Sequence, residues 1–103
     1  MKPDKLKNAL NKLLNSPILS RQFPIIDNVE VTDVKLRHDN QSYVVYIHMD
    51  LNEKPPMLLR DFENKLWFLL HDIMDTLGLR GHNFYMFDII YPPYDKVKLM
   101  DEI

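Results

Sequence analysis

The side chains that could do chemistry are few, and their spacing does not favour a site. The four histidines, His38, His48, His71 and His82, show neither the i, i+4 spacing nor the strand alternation typical of metal ligands, and cysteine is absent. His71 and Asp75 lie one helical turn apart, as two ligands would, but they also fit an ordinary solvated helix face. We therefore expect no metal site.

Catalytic groups are equally hard to find. The serines and threonines stand in no nucleophile-elbow sequence, no glycine-rich loop could cradle a phosphate, and the acidic residues are scattered over predicted surfaces. Asp88 is the only charge in the apolar run from Phe84 to Tyr91, and we expect it at a sheet rim or paired with a basic side chain. The sequence thus predicts no catalytic residues, no cofactor, no small-molecule substrate and no enzyme.

Composition sets the scale of the structure that must hold these residues. A chain of 103 residues, 46% hydrophobic and 27% charged, suits a single domain with one core. The net charge of -2 gives no global attraction to nucleic acid or anionic membranes. No apolar stretch approaches 18 residues, and the N-terminus lacks the apolar core of a signal peptide. We expect an intracellular protein, or one assembled in a particle, without a membrane partner.

The N-terminal half reads as one helix followed by a hairpin. Residues 3–15 carry a leucine stripe of helical spacing, and residues 17–24 form a connector with two prolines. Alternation predicts strands over 25–37 and 43–51, joined by a polar turn. The alternation changes parity near Thr32 and Asp33, which predicts a bulge there. In the second strand the odd-numbered residues should face the helices.

The C-terminal half is organised around residues 55–77, a predicted helix whose apolar residues recur at steps of three and four. Trp67, Phe68 and Met74 widen the apolar arc, and Gly78 stands where a helix C-cap favours glycine. Residues 84–91 form a third strand that is apolar at both parities, so we expect burial on both faces or against the C-terminal tail. The inward stripe of the helix is predicted to consist of Leu59, Phe62, Leu66, Leu69, Leu70, Ile73 and Leu77.

These elements predict an α+β fold, a two-layer sandwich in the order helix, strand, strand, helix, strand. The three-stranded sheet should carry both helices on one face. We expect a single domain over residues 1–94, followed by a tail or arm over 95–103. Whether the third strand pairs with the first or the second stays open.

The order and lengths of these elements, and the pairing of residues 29–36 with 43–47, resemble KH-like domains, in particular the family of ribosome-binding factor A, which matures the small ribosomal subunit. In KH domains a Gly-x-x-Gly loop joins two helices and clamps the nucleic-acid backbone. The run Gly78-Leu79-Arg80-Gly81 has that form, but it leads into the strand at Phe84 without room for a following helix. We interpret it as a helix C-cap and turn. The resemblance implies instead an RNA or ribosome contact by Lys5, Lys7, Lys12, Gly78, Arg80 and Gly81.

Two hypotheses therefore remain. The first is a non-catalytic interaction or assembly module, such as a self-associating component of a viral or phage-like particle. The second is the KH-like RNA-binding or ribosome-associated factor, which the near-neutral charge disfavours. For the first hypothesis, the candidate residues for binding a protein partner or a second copy are Val44, Tyr46, His48, Trp67, Phe68, Tyr94, Val97 and Leu99.

Overall fold

The computed structural model describes residues 1–92, apart from the side chain of Ile18. The predicted tail over 95–103 and the end of the predicted domain at 94 lie outside the described residues. The elements are the helices α1 (Pro3–Leu14), α2 (Pro17–Gln22) and α3 (Leu59–Thr76) and the strands β1 (Ile26–Leu36), β2 (Tyr43–Leu51) and β3 (Phe84–Ile90). This arrangement confirms the α+β class.

The sheet has the order β1-β2-β3, which settles the pairing that the sequence left open. β1 runs antiparallel to β2, and β3 runs parallel to β2, so α3 is the crossover between two parallel neighbours. The register between β1 and β2 shifts between Val31 and Asp33, which confirms the predicted bulge. A second shift, between Ile26 and Asn28, was not predicted.

One face of the sheet and both long helices enclose the core. The odd-numbered residues of β2 from Tyr43 to Leu51 are all buried, as predicted. They share one apolar cluster with Leu6 and Leu10 of α1 and with the inward face of α3. That face consists of Phe62, Leu66, Leu70 and Met74.

Some helix predictions were wrong. α3 begins at Leu59 and not at Pro55, because residues that precede proline disfavour helical backbone angles and Leu58 is still extended. Leu59 is consequently exposed in the first turn. Leu13 is also exposed, since it lines a shallow groove with Ile73 of α3 and with Leu77, which follows that helix, instead of facing the sheet.

The connector contains α2, a six-residue helix too short for periodicity to reveal. Pro17 occupies its first turn, and Leu19 is buried in the core. Phe23, at the end of α2, meets the ring of Phe62 edge-on at a centroid distance of 5.7 Å. The connector therefore closes one end of the core.

Of the two alternatives expected for the third strand, burial on both faces is not observed. Tyr85 is buried, whereas Phe84 and Met86 are exposed. The reason is that the helices cover one face of the sheet: Tyr85 lies beside buried Val45 on that face, whereas Phe84 and Met86 lie on the other. Any contact between this strand and the C-terminal tail lies outside the described residues.

Candidate interaction surface

Exposed apolar side chains flank the edge of β3 that has no neighbouring strand in the described part of the chain. Trp67 and Phe68 of α3 are 36% and 64% exposed, and Phe84 and Met86 of β3 are 52% and 54% exposed. We call these four residues the β3-edge surface. Such a cluster is unusual on a small monomer, where large apolar side chains are normally scattered.

The fold explains why these residues meet. Trp67 and Phe68 lie on the flank of α3, off the stripe that faces the sheet, and their rings meet edge-on at 5.3 Å. Trp67 also meets Tyr85 of β3 at 5.9 Å, so this flank of α3 lies beside β3. Phe84 and Met86 have the opposite strand parity from Tyr85 and lie on the outer face of the sheet.

Arg37 borders this surface in a fixed position. Its guanidinium carbon lies 4.4 Å from the centroid of the Phe84 ring, and its Nη1 donates to the backbone carbonyl of His82 at 2.7 Å. Arg37 takes part in none of the ion pairs among residues 1–92. Within these residues its other side-chain N–H groups bind no acceptor, and they have the geometry to donate to a partner's carboxylate or backbone carbonyl.

An open cleft of about 540 Å³ separates Arg37 and Phe84 from Trp67. His71 lines it and stacks on Trp67, with the ring centroids 5.0 Å apart and the planes 8° from parallel. His71 and Asp75, which are spaced like two metal ligands, have different partners in the structure. Asp75 accepts a hydrogen bond from Arg80, with Nε and Oδ1 2.8 Å apart. In the described part of the chain no group of three or more His, Asp or Glu side chains is arranged to hold a metal ion.

Asp39 at the mouth of the cleft is a structural residue. Its Oδ1 accepts hydrogen bonds from the backbone N–H groups of Gln41 and Ser42, and its Oδ2 accepts one from the Ser42 hydroxyl. The backbone bond from Gln41, with the two from Ser42, lowers the pKa of Asp39 to about 2. This carboxylate holds the β1–β2 turn and has little capacity left for a ligand.

The middle of the outer sheet face carries the other predicted partner residues. Val44, Tyr46 and His48 of β2 are half-buried there, because strands flank them on both sides. The register places Val44 beside Phe84 and Tyr46 beside Met86, so the β2 residues adjoin the β3-edge surface. Tyr94, Val97 and Leu99 lie outside the described residues.

His48 joins two carboxylates across the outer face. Its Nδ1 lies 2.9 Å from Oδ2 of Asp88, and its Nε2 lies 3.1 Å from Oδ1 of Asp50. The hydrogen bond to Asp88 is the main cause that raises the pKa of His48, and Asp50 adds to it. Asp88 lies on the edge strand of the sheet, the first of the two expected settings, and its partner there is a histidine. Both ring nitrogens of His48 are occupied.

The roles of Arg37, Phe84 and Met86 in this surface were not predicted from the sequence. Phe84 and Met86 belong to a run in which both the odd-numbered and the even-numbered residues are apolar. The alternation of a strand therefore did not indicate which set would be exposed. Arg37 lies at the end of a predicted strand, where nothing distinguished it from an ordinary turn residue.

Tyr85, the buried neighbour of Phe84 and Met86, is uncharged at physiological pH, because burial raises the pKa of its hydroxyl to about 12.

The Gly-x-x-Gly run is a helix cap and a close packing contact. Gly78 has a φ of +78°, and the N–H groups of Gly78 and Leu79 bond the carbonyls of Asp75 and Met74, as in a Schellman motif. A Cβ on Gly81 would lie 2.5 Å from the Ser42 Oγ. These contacts confirm the C-cap and turn.

The basic candidates are only partly brought together. Gly78, Arg80 and Gly81 line a cavity of about 420 Å³ with Met1, whose carbonyl accepts a hydrogen bond from the Tyr43 hydroxyl. Lys5 and Lys7 follow in the first two turns of α1, whereas Lys12 lies in its last turn.

Comparison of the chain with models of protein families, with curated proteins and with solved structures gives no match. Among the described residues no helix is long and apolar enough to cross a bilayer. The functional proposals below therefore depend on the geometry of this chain alone.

Proposed function

We propose that this chain is a non-catalytic assembly module that self-associates through the β3-edge surface. The observation that carries the proposal is the exposure of four large apolar side chains beside the same edge of the sheet: Trp67 and Phe68 on α3, and Phe84 and Met86 on β3. Leaving these side chains in water forgoes hydrophobic stabilisation that association would recover.

The chemistry of the surface supports protein binding. Aromatic residues, methionine and arginine are the types enriched at interface centres, and here they adjoin one another. Arg37 is held by the His82 carbonyl and the Phe84 ring, so little side-chain entropy is lost when a partner binds it. The outer-face residues Val44 and Tyr46 extend the same surface inward.

Sedimentation velocity on the purified chain tests this function. We expect concentration-dependent association, weakened at least about tenfold in a Phe68→Ser/Phe84→Ser variant because about 1.4 kcal/mol of lost contact has that effect. Leu36→Ser/Leu58→Ser is the matched control, since both leucines are exposed elsewhere on the molecule. A monomer at every concentration up to about 1 mM, where even weak dimers assemble, would overturn the proposal.

One observation favours the KH-like alternative, in which the chain binds RNA. The Gly-x-x-Gly turn lies against Met1, next to the start of α1, so Arg80 and the first turn of α1, which carries Lys5, belong to one side of the molecule. Against it, Arg80 is already paired with Asp75, and both glycines have packing roles.

Binding of a fluorescent oligouridine at low and moderate salt tests this alternative. RNA contact through these residues requires an affinity that falls with salt and is lost in Lys5→Ala/Lys12→Ala/Arg80→Ala. The control is Lys54→Ala/Lys65→Ala, which removes two exposed lysines elsewhere in the chain. Equal affinity of the triple variant and the control would remove the alternative.

A further inference from the structure

Within residues 1–92, the outer edge of β3 is covered by no other strand, and Asp88 is its only charged residue. In the described part of the chain the strand pairs with β2 along one side, over seven consecutive residues without a register shift. Its sequence, Phe-Tyr-Met-Phe-Asp-Ile-Ile, has no lysine, proline or glycine. Unpaired N–H and C=O groups along such an edge are a template for another strand.

The opposite edge of the sheet is protected, which makes the contrast specific to β3. β1 is interrupted by two register shifts and carries Lys35. The Asn11 side chain of α1 also occupies its backbone: Nδ2 donates to the Val31 carbonyl at 3.1 Å, and Oδ1 accepts from the Val31 N–H at 2.7 Å. Among the strands of residues 1–92, the outer edge of β3 is therefore the one left open to a pairing partner.

The surroundings of the β3 edge define the strand that would fit. Trp67 and Phe68 lie on the helix side, and Phe84 and Met86 lie on the outer face, so the incoming strand must present large apolar side chains on both of its faces. β3 has this property itself. Its one charge, Asp88, is already paired with His48 of the same chain.

We infer that β3 pairs antiparallel with β3 of a second copy, so that two three-stranded sheets form one six-stranded sheet. This inference depends on the proposed self-association and names its mode. The two-fold axis stands normal to the sheet, which places the helices of both copies on the same face. The flank with Trp67 and Phe68 then faces the other half of the dimer.

The charge of Asp88 selects the register. A two-fold axis at Phe87 pairs all seven residues, with Phe84 opposite the partner's Ile90 and Met86 opposite the partner's Asp88. An axis at Asp88 would set the two carboxylates directly opposite each other, which is destabilising. The register centred on Phe87 is therefore the one we assign.

The charge at position 86 gives the first test. Met86 is half-exposed, so Met86→Glu and Met86→Lys should both fold, and circular dichroism checks this. In the assigned register Met86→Glu faces a carboxylate twice per dimer, whereas Met86→Lys faces an opposite charge. We expect the dissociation constant of the Met86→Glu variant to be at least about tenfold higher than that of Met86→Lys.

Disulfide formation gives the second test. Because the chain contains no cysteine, only the introduced cysteines can form a disulfide. A mixture of a Phe84→Cys variant and an Ile90→Cys variant should form a cross-linked heterodimer under mild oxidation. Residues directly opposite in an antiparallel pair have Cα atoms about 4.5–5.5 Å apart, within the range of a disulfide. The control mixture is Leu36→Cys with Ile90→Cys, which places one cysteine on the far edge of the sheet.

The outcomes separate the two proposals. A dimer in which Met86→Glu and Met86→Lys behave alike, or in which the first mixture cross-links no faster than the control, overturns the β3 pairing and leaves self-association standing. A strictly monomeric wild type overturns both. Charge-dependent dimerisation with selective cross-linking supports both.

Discussion

His48 links the middle strand of the sheet to its edge through two carboxylates. When the imidazole is protonated, both ring nitrogens donate, one to Asp88 and one to Asp50; when it is neutral, only one can donate. The folded state therefore favours the proton, which is why the pKa of His48 is raised from 6.5. Glu30, the β1 neighbour of His48 in register, adds another acidic group on the same face.

The direction of this shift fixes a pH dependence. A raised folded-state pKa contributes stability that is fully present below the unfolded pKa of 6.5 and is lost as the pH rises through the folded pKa. We expect the wild type to exceed Asp88→Asn in unfolding free energy by about 0.5 kcal/mol more at about pH 5.5 than at about pH 8.5, a size typical of such surface pairs. Urea denaturation at both pH values measures the difference. Asp72→Asn, which removes an exposed carboxylate on α3, should show no such change.

The two glycines should respond differently to substitution. A Cβ at Gly81 would meet the Ser42 Oγ at 2.5 Å and the Gln41 carbonyl oxygen at 2.8 Å, and Ser42 is fixed by hydrogen bonds to Asp39 and His82. We expect Gly81→Ala to destabilise the fold by about 2 kcal/mol. Gly78 has open space around it and needs only the left-handed backbone, so Gly78→Asn should cost about 0.5 kcal/mol or less. Equal losses in chemical denaturation would contradict this account.

α3 presents two chemically different apolar surfaces. Leu66 and Leu70 face the sheet and are almost fully buried, whereas Trp67 and Phe68 lie on the flank beside β3. On a helical wheel the two sets form one wide apolar arc, because consecutive residues of a helix are rotated by about 100° around its axis. The sheet covers one part of that arc and leaves the other in solvent.

Truncating one residue from each surface separates stability from association. Leu66→Ala removes a core side chain and should lower the unfolding free energy by about 2–5 kcal/mol. Phe68→Ala should change it by about 0.5 kcal/mol or less but weaken self-association several-fold, because its ring is 64% exposed. Thermal melts of dilute protein and sedimentation velocity measure the two effects. Equal melting losses with unchanged oligomeric state would show that Phe68 is ordinary core.

The described chain folds around a single apolar cluster, so folding and assembly should be coupled in one transition. If the folded chain dimerises, mass action makes the melting temperature depend on protein concentration. We expect a rise of about 5 °C for each hundredfold increase in concentration, given the unfolding entropy of a domain of this size. Met86→Lys should keep this slope and Met86→Glu should lose it. A melting temperature that is independent of concentration in the wild type would contradict the coupling.

Much of the fold could be predicted because it depends on local patterns. The stripe of α1, the alternation of β2, the parity change at Thr32 and the cap at Gly78 each involve residues within a few positions of one another, where backbone geometry dictates the spacing. The class of the fold and the bulge were confirmed for this reason. The start of α3 was misplaced because the apolar spacing does not register the effect of Pro55 and Pro56 on the backbone. The helix α2 was missed because six residues are too few to show a helical period.

The sequence by itself determined that this chain has one core, a β1–β2 hairpin and a wide apolar helix. Only the tertiary structure decided that β3 lies at the edge of the sheet, parallel to β2. Because the residues of β3 are apolar on both faces, the sequence allowed it to pair with either β1 or β2. That placement exposes Phe84 and Met86, brings Asp88 to His48 and sets Gly81 against Ser42. Each of these contacts joins segments about 40 residues apart, and their register is fixed by packing, which no local spacing encodes.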